Sequence, residues 1–240
     1  MKKSMWNILR TLNLKTIGVW ILSLLLLSAC LPDIDAPDLP PAAYVSIYQG
    51  APDAPGIQVS ANSNIVNNAP LNYTQWIAYA AFYPGKRDFR FSAFNSATSL
   101  LEKELELKAD TVYSVFLVEM EDSIDAVMVE DNWAEPTADR AQIRLVNLSP
   151  DAGTISMEKS DSTTPVFTGS TFKAITDFEE VTTGNTILTI KSSEGESLIS
   201  TGTLELRGNR VYTLILRGLK SETTGEKKLD LQLITNYIDF

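Results

Sequence analysis

The side chains in this protein that could do chemistry are almost all carboxylates. Its 240 residues include 30 Asp and Glu, a single cysteine at Cys30, and no histidine. Without histidine, a Ser-His-Asp triad and a His-liganded zinc site are both excluded. Two carboxylates could hydrolyse a glycosidic bond, but among so many acids some pair always looks suitable. We therefore predict no catalytic residue and no cofactor, with a carboxylate-dependent glycan hydrolase as a less favoured alternative.

One acidic cluster resembles a calcium site in composition only. The segment Glu119–Asp125 contains four acids. It lacks the regular Asp/Asn spacing and the glycine of an EF-hand loop. We predict that it is the solvated tip of a hairpin and that the chain has no metal site.

The first 30 residues have the features of an export signal. Basic residues come first, at Lys2, Lys3, Arg10 and Lys15. The apolar run Ile17–Ala29 follows, and it is shorter than the ~20 residues that span a bilayer. It ends in Leu27-Ser28-Ala29-Cys30, which resembles the lipobox of bacterial lipoproteins. We predict a signal peptide over 1–29, membrane attachment through lipidated Cys30, and an outer-membrane protein that is periplasmic or surface-exposed. An ordinary secretory signal is the alternative.

The residues after the signal begin with a proline-rich stretch and carry a net negative charge. Four prolines lie within 30–42, which favours an extended tether. Beyond residue 29 there are 16 basic residues against 30 acidic ones, because four of the 20 basic residues belong to the signal. Such a surface repels nucleic acid, since it has no basic excess to neutralise phosphates. We therefore predict no nucleic-acid partner.

The chain repeats itself after about 100 residues. Leu105–Leu117 and Leu204–Leu216 share one apolar pattern at an offset of 99. A repeat of that length matches one β-sandwich module. We predict two tandem β-sandwich domains at 43–130 and 141–240, with a charged linker over 131–140.

A short turn motif follows the first strand of each copy. Pro52 and Asp53 form part of this motif in the first copy, and Pro150 and Asp151 form the same part in the second at an offset of 98. Proline presets φ, and aspartate can accept hydrogen bonds from neighbouring amides. The motif therefore predicts a defined turn at the same place in both domains.

Two hairpins are predicted near the end of each copy. In the first copy, the first of these hairpins has Leu105–Leu107 and Val112–Val118 on either side of Lys108–Asp110, and we predict that the two segments pair. The following tip, Glu119–Asp125, is acidic. The corresponding tip of the second copy carries basic residues at Arg217, Lys220, Lys227 and Lys228. We hypothesise that the opposite charges favour head-to-tail contact between modules or between neighbouring molecules.

Aromatic residues supply the candidate ligand contacts. At an offset of 99, Tyr73, Trp76, Tyr79 and Phe82 match Phe172, Ile175, Phe178 and Val181. Because these positions are apolar in both copies, we predict that they lie in the cores. Tyr83 and Phe94 match Thr182 and Ser193 instead, so we predict Tyr83 and Phe94 as exposed ligand contacts. Trp133 either packs between the modules or closes the first core.

The openings of the two copies resemble a bacterial family of domains of unknown function, which often occur in tandem in surface lipoproteins. The resemblance is carried by Tyr44–Ile47, Ala51–Pro55, Ile143–Val146 and Ser149–Ala152. Family members have a Ser-Pro-Asp-Ala-Pro motif, in which Ala51 here replaces the serine and Gly153 the final proline. The resemblance covers about 43–234 and implies immunoglobulin- or transthyretin-like sandwiches with no established activity. The acidic stretch after Cys30 also resembles surface-export signals of Bacteroidota lipoproteins.

These patterns predict a non-catalytic cell-envelope lipoprotein that binds a protein or a glycan. Binding would use loops at one end of a sandwich, where loops cluster. A structural or accessory subunit of an outer-membrane complex is the alternative. Glycan binding predicts a loss of affinity when Tyr83 or Phe94 is mutated, whereas a subunit should co-purify with a fixed partner.

Overall fold

The computed structural model describes residues 40–121 and 123–238. The predicted signal peptide, Cys30 and most of the tether lie outside these residues. Within them the chain forms eighteen β-strands, and no helix there is long and apolar enough to cross a membrane. The predicted all-β sandwich class is confirmed. The strands are β1 (Ala43–Gln49), β2 (Ile57–Ala61), β3 (Asn64–Ile65), β4 (Trp76–Phe82), β5 (Gly85–Ala93), β6 (Ser99–Leu107), β7 (Val112–Glu119), β8 (Ile124–Glu130), β9 (Arg140–Asn147), β10 (Ile155–Lys159), β11 (Phe167–Ser170), β12 (Glu179–Thr182), β13 (Gly184–Thr186), β14 (Leu188–Ser192), β15 (Ser197–Ser200), β16 (Leu204–Leu206), β17 (Arg210–Arg217) and β18 (Asp230–Ile238).

The strand order of the first half recurs in the second. The first inner sheet has the order β4-β1-β7-β8, and the second inner sheet has the order β12-β9-β17-β18. The first outer sheet is β3-β2-β5-β6, and the second outer sheet is β11-β10-β14-β15, with a separate β13-β16 pair. The central strands of each inner sheet run parallel, with Val45 opposite Tyr113 and Ile143 opposite Tyr212. The repeat in the sequence is therefore also a repeat in topology.

Each half has an apolar core between its inner and outer sheets. In the first core, alternate residues of β1 such as Val45 join Phe89 and Phe91 of β5. In the second, Ile143 of β9 joins Ile190 of β14. This alternation follows from the pleat of a strand, in which successive side chains point to opposite faces. Each such buried side chain contributes about 1.5–3 kcal/mol.

A third apolar cluster lies between the two inner sheets. Its buried members are Tyr48, Phe116, Val118, Val146, Leu148, Ile215 and Ile234. In β7, odd-numbered residues such as Val115 belong to the first core, and even-numbered residues such as Phe116 belong to this third cluster. Burial of both faces explains the continuous apolar sequence of β7. The halves are thus packed against each other, while the boundaries at 43–130 and 141–240 remain predictions.

The predicted pairing of Leu105–Leu107 with Val112–Val118 is wrong. Strand β6 pairs with β5 in the first outer sheet, whereas β7 pairs with β1 and β8 in the first inner sheet. The short connection therefore crosses from one sheet to the other instead of turning back. At this corner the Tyr113 hydroxyl accepts a hydrogen bond from the Lys108 N–H at 3.1 Å, as in the tyrosine corner of other sandwiches. Tyr212 and Arg207 make the same contact in the second half at 3.2 Å.

Replacing Tyr113 with phenylalanine is expected to lower the free energy of unfolding by about 1 kcal/mol, the usual net contribution of one hydrogen bond. The ring is 3% exposed, so its packing stays while the hydroxyl is lost. Urea denaturation would measure the effect. Tyr44→Phe is the control, because Tyr44 is 44% exposed and a surface change usually costs less than about 0.5 kcal/mol. Equal losses in the two variants would contradict the role of the corner.

Candidate functional site

Each turn motif is hydrogen-bonded to the last hairpin of its own half. In the first half, the N–H of Asp53 donates to Glu119 Oε2 at 2.7 Å. In the second half, the carboxylate of Asp151 accepts hydrogen bonds from the N–H groups of Lys220 at 2.6 Å and Ser221 at 2.8 Å. Burial alone would raise the pKa of Asp151, but these backbone donors outweigh it and lower that pKa. The equivalent aspartates thus anchor their turns through different atoms.

Between the two motifs lies a cleft of about 380 Å³. Its lining residues are Pro52, Glu119, Met120, Glu121, Leu148, Pro150, Phe172, Gly218 and Leu219. Both halves contribute equivalent positions of the repeat, since Pro52 corresponds to Pro150 and Met120 to Leu219. The exposed lining is mostly apolar. Its volume is in the range of ligand-binding pockets and suits one or two side chains rather than a folded surface.

The charges around the cleft are largely paired. Asp53 pairs with Lys227 of the second half. Asp125 pairs with Lys173 at 2.8 Å and with Lys103 at 3.1 Å. Burial raises the pKa of Glu119, which lies in the cleft wall. Among the ion pairs of residues 40–121 and 123–238, none includes Glu119 or Glu121.

The oppositely charged tips meet within one chain, but not head to tail. They lie side by side at the same end of the two halves, where Lys227 reaches Asp53. Arg217 pairs with Asp230 of its own hairpin, and its guanidinium lies 5.3 Å from the centre of the Tyr73 ring. The head-to-tail arrangement predicted between modules is therefore corrected: in each half the parallel central strands place the turn motif and the tip at the same end, and these ends of both halves line the cleft.

The Asp125 contacts give a prediction about pH. Burial works to raise the pKa of Asp125, but hydrogen bonds from Lys173 and Lys103 outweigh it and lower the pKa to about 2. A lowered pKa stabilises the fold above the unfolded value of about 3.9, and this contribution is lost as the pH falls towards 2. In urea titrations between pH 5 and 2, the stability difference between the wild type and Asp125→Asn should therefore shrink. A constant difference would contradict this, and Lys173→Met should reproduce part of the loss at pH 5.

The predicted ligand contacts Tyr83 and Phe94 do not form one surface. Tyr83 is 71% exposed and follows Phe82, which pairs with the first residue of β1. Phe94 is half-buried, and its N–H donates to Gly56 O at 2.8 Å, at the other end of the first half. Neither residue lines the cleft. They lie at opposite ends of the first half, so one ligand of small size could not contact both.

The prediction that all four aromatic positions of the first copy are core residues is wrong for Trp76 and Tyr79. Tyr73 lies against Arg217 of the second half instead of in the first core. The side chain of Trp76 is 45% exposed, because β4 is the edge strand of the first inner sheet. Phe82 does pack against the first core. Tyr79 instead points between the halves, where its hydroxyl donates to Asp131 at 2.6 Å.

A buried polar network between the halves was missed in the sequence. Arg144 and Asp131 form an ion pair with side chains 1% and 0% exposed. Arg144 also donates to Ser114 at 2.8 Å and to Thr213 at 2.9 Å. Burial is the main cause that raises the pKa of Tyr79, and the nearby Asp131 carboxylate raises it further. The hydroxyl therefore stays protonated and can donate a hydrogen bond. No sequence signal marks this network, because Arg144 alternates with apolar residues like a solvent-facing side chain and Asp131 lies in a charged stretch.

Trp133 packs between the halves, which decides between its two predicted positions. Its ring centre lies 6.3 Å from Tyr79 of the first half. It lies 5.8 Å from Phe178 and 5.7 Å from Tyr237 of the second half. Aromatic pairs at such distances add about 0.5–1.5 kcal/mol beyond the area they bury. The predicted linker is therefore part of the packed contact.

The part of the chain that the structure describes contains no group of three or more His, Cys, Asp or Glu arranged to hold a metal ion. The acidic tip is the turn between β7 and β8, where Met120 N–H donates to Ser123 O at 2.8 Å. The acidic tip is therefore a hairpin turn that borders the apolar cleft.

Comparison with known proteins gives a family match over part of the chain. Residues 43–158 match the family described as Domain of unknown function (DUF4397). The match covers the first half and continues through β9 into β10. No curated protein matches the chain.

Two of the solved structures that match the chain come from Bacteroides. One, described as a "putative cell adhesion protein" from Bacteroides uniformis ATCC 8492, has 10% identity and a TM-score of 0.24 over 82% of this chain and 98% of that chain. Another, a DUF3823 family protein from Bacteroides ovatus ATCC 8483, has 7% identity and a TM-score of 0.20 over 70% of this chain and 99% of that chain.

Proposed function

We propose that this chain is a non-catalytic protein of the bacterial cell envelope, and that it binds a protein partner through the cleft between its turn motifs. The single observation that carries the proposal is the apolar cleft of about 380 Å³ built from equivalent loops of both halves. A pocket of that kind receives an anchor side chain, which is how a few residues supply most of the energy of a protein interface. The rigid inner sheets hold both walls in place.

A protein partner is favoured over a glycan by the chemistry of the lining. Sugars are usually held by exposed aromatic faces together with several polar groups. The cleft has one aromatic residue, Phe172, and a mostly apolar wall. The exposed Tyr83 and the half-buried Phe94 lie at opposite ends of the first half and offer no joint platform.

Attachment to a membrane through lipidated Cys30 is part of the same proposal. Its support is the lipobox-like Leu27–Cys30 in the sequence. The described chain leads into β1 at Ala43, and the cleft lies beyond the other end of this seven-residue strand, about 23 Å away. Mass spectrometry of the mature N-terminus tests the acylation.

Photo-crosslinking in the native bacterium tests the binding function. A benzoylphenylalanine side chain would replace Met120 or Leu219 in the cleft, or Ile65 as control, because Ile65 is 60% exposed on β3 away from the cleft. We expect both cleft positions to give a protein adduct of the same mass and position 65 to give none. Met120→Asp, which places a charge in the cleft, should prevent the adduct from position 219.

Three results would count against the proposal. The absence of protein adducts from positions 120 and 219 would exclude the cleft as a protein site. A loss of glycan binding in Tyr83→Ala but not in Met120→Asp would favour a glycan. A partner that co-purifies in fixed ratio regardless of Met120→Asp would indicate a structural subunit held through another surface.

A further inference from the structure

The cleft carries a charge as well as an apolar wall. Glu119 and Glu121 both belong to its lining, and no Lys or Arg does. The N–H of Asp53 binds Glu119 Oε2 and so fixes the position of that carboxylate. The apolar contacts come from side chains on both sides, including Met120 and Leu219.

Two of the nearby cations are paired with carboxylates outside the lining, while Lys220 and Lys228 lie beside the lining residue Leu219 but do not line the cleft. Lys173, next to the lining residue Phe172, pairs with Asp125 at 2.8 Å. Lys227 pairs with Asp53. The charged residues of the cleft lining itself are therefore both negative, and they lie beside apolar side chains. The chain after residue 29, with 16 basic and 30 acidic residues, adds a long-range field of the same sign.

We infer that the cleft takes an apolar side chain that is flanked by lysine or arginine on the partner protein. This inference rests on the proposed function and specifies the partner's chemistry. The apolar side chain fills the space between Met120 and Leu219. The flanking cation lies next to Glu119 and Glu121 at the rim, where it is partly solvated. Charge pairs of this kind supply discrimination between partners and a faster association more than raw affinity.

Methyl NMR on the detergent-solubilised full chain provides a direct test. With ¹³C-methyl-labelled methionine, Met120 reports on the cleft, while Met157, which is fully buried in the second core, serves as an internal control. The Met120 signal is assigned from its loss in Met120→Leu. The probes are three capped peptides with the sequences Gly-Lys-Leu-Lys-Gly, Gly-Ser-Leu-Ser-Gly and Gly-Glu-Leu-Glu-Gly.

We expect the lysine peptide to shift the Met120 signal and to bind about fivefold more tightly than the serine peptide, which is the effect of roughly one or two exposed charge pairs. The glutamate peptide should bind most weakly. The double variant Glu119→Gln and Glu121→Gln should abolish the preference. The matched variant Glu106→Gln and Glu135→Gln removes the same charge from exposed positions outside the cleft and should keep most of it.

The outcomes separate the two proposals. Equal binding of all three peptides at Met120 would overturn the charge inference and leave the proposed binding function intact. A preference that survives Glu119→Gln and Glu121→Gln would likewise overturn it. If no peptide shifts the Met120 signal, the inference and the cleft as a binding site both fail.

Discussion

Replacing Asp131 with alanine is expected to lower the free energy of unfolding by about 3–5 kcal/mol. The change leaves the guanidinium of Arg144, which is 1% exposed, without its counter-charge between the two inner sheets. The hydroxyls of Tyr79 and Ser114, which donate to Asp131 at 2.6 Å each, would also lose their acceptor. An unpaired buried charge is far more costly than an absent pair, so the loss should be large. Urea or guanidinium denaturation measures it.

The controls separate charge from packing. Asp139→Ala, at an exposed position nearby in the chain, should change the stability by less than about 0.5 kcal/mol. The double variant Asp131→Leu and Arg144→Met removes both charges and should recover most of the loss, as seen when buried pairs are exchanged for apolar residues. If Asp131→Ala were no more harmful than Asp139→Ala, the buried guanidinium of Arg144 would not depend on Asp131 for its counter-charge.

The second large effect is expected at Gly218, in the wall of the cleft. This residue has a φ of +77°, and an added Cβ would lie 2.2 Å from Lys228 O and 2.7 Å from Lys227 O. Gly218→Ala therefore combines left-handed strain of about 1–2 kcal/mol with a backbone clash that the hairpin cannot relieve by a side-chain movement. We expect a total loss of about 3 kcal/mol and a displaced cleft wall, measured by urea denaturation and by the peptide titration at Met120.

Gly225 provides a matched control within the same hairpin. Its φ is +78°, but an added Cβ would have no heavy atom within 4 Å. Gly225→Ala should therefore cost only the strain, about 1 kcal/mol, and leave the cleft unchanged. Equal losses for the two variants would show that the clash between the added Cβ and the backbone of Lys228 does not lower the stability.

Much of the architecture was accessible from the sequence, because short-range rules govern it. The shared apolar pattern of Leu105–Leu117 and Leu204–Leu216 predicted a repeated β module, and β7 and β17 are equivalent strands of the two halves. The turn motifs at Pro52 and Pro150 were found from residue types alone, since proline and aspartate restrict the backbone locally. The prediction that failed concerned which strands pair with each other. The stretch from Leu105 to Val118 looks like a hairpin, yet it crosses between sheets, because a four-residue connection does not reveal which neighbour each strand will take.

The sequence by itself thus determined the β class, the duplicated pattern and the position of the turns. Only the tertiary structure decided what covers the second face of β7, why Arg144 is buried, and that both turn motifs border one cleft. The physical reason is that the pleat of a strand alternates its side chains regardless of what lies opposite. Arg144 lies on the face of its inner sheet that points away from the core of the second half. In an isolated domain this face would meet water, but in the packed pair the side chain meets Asp131. That difference depends on contacts between distant parts of the chain.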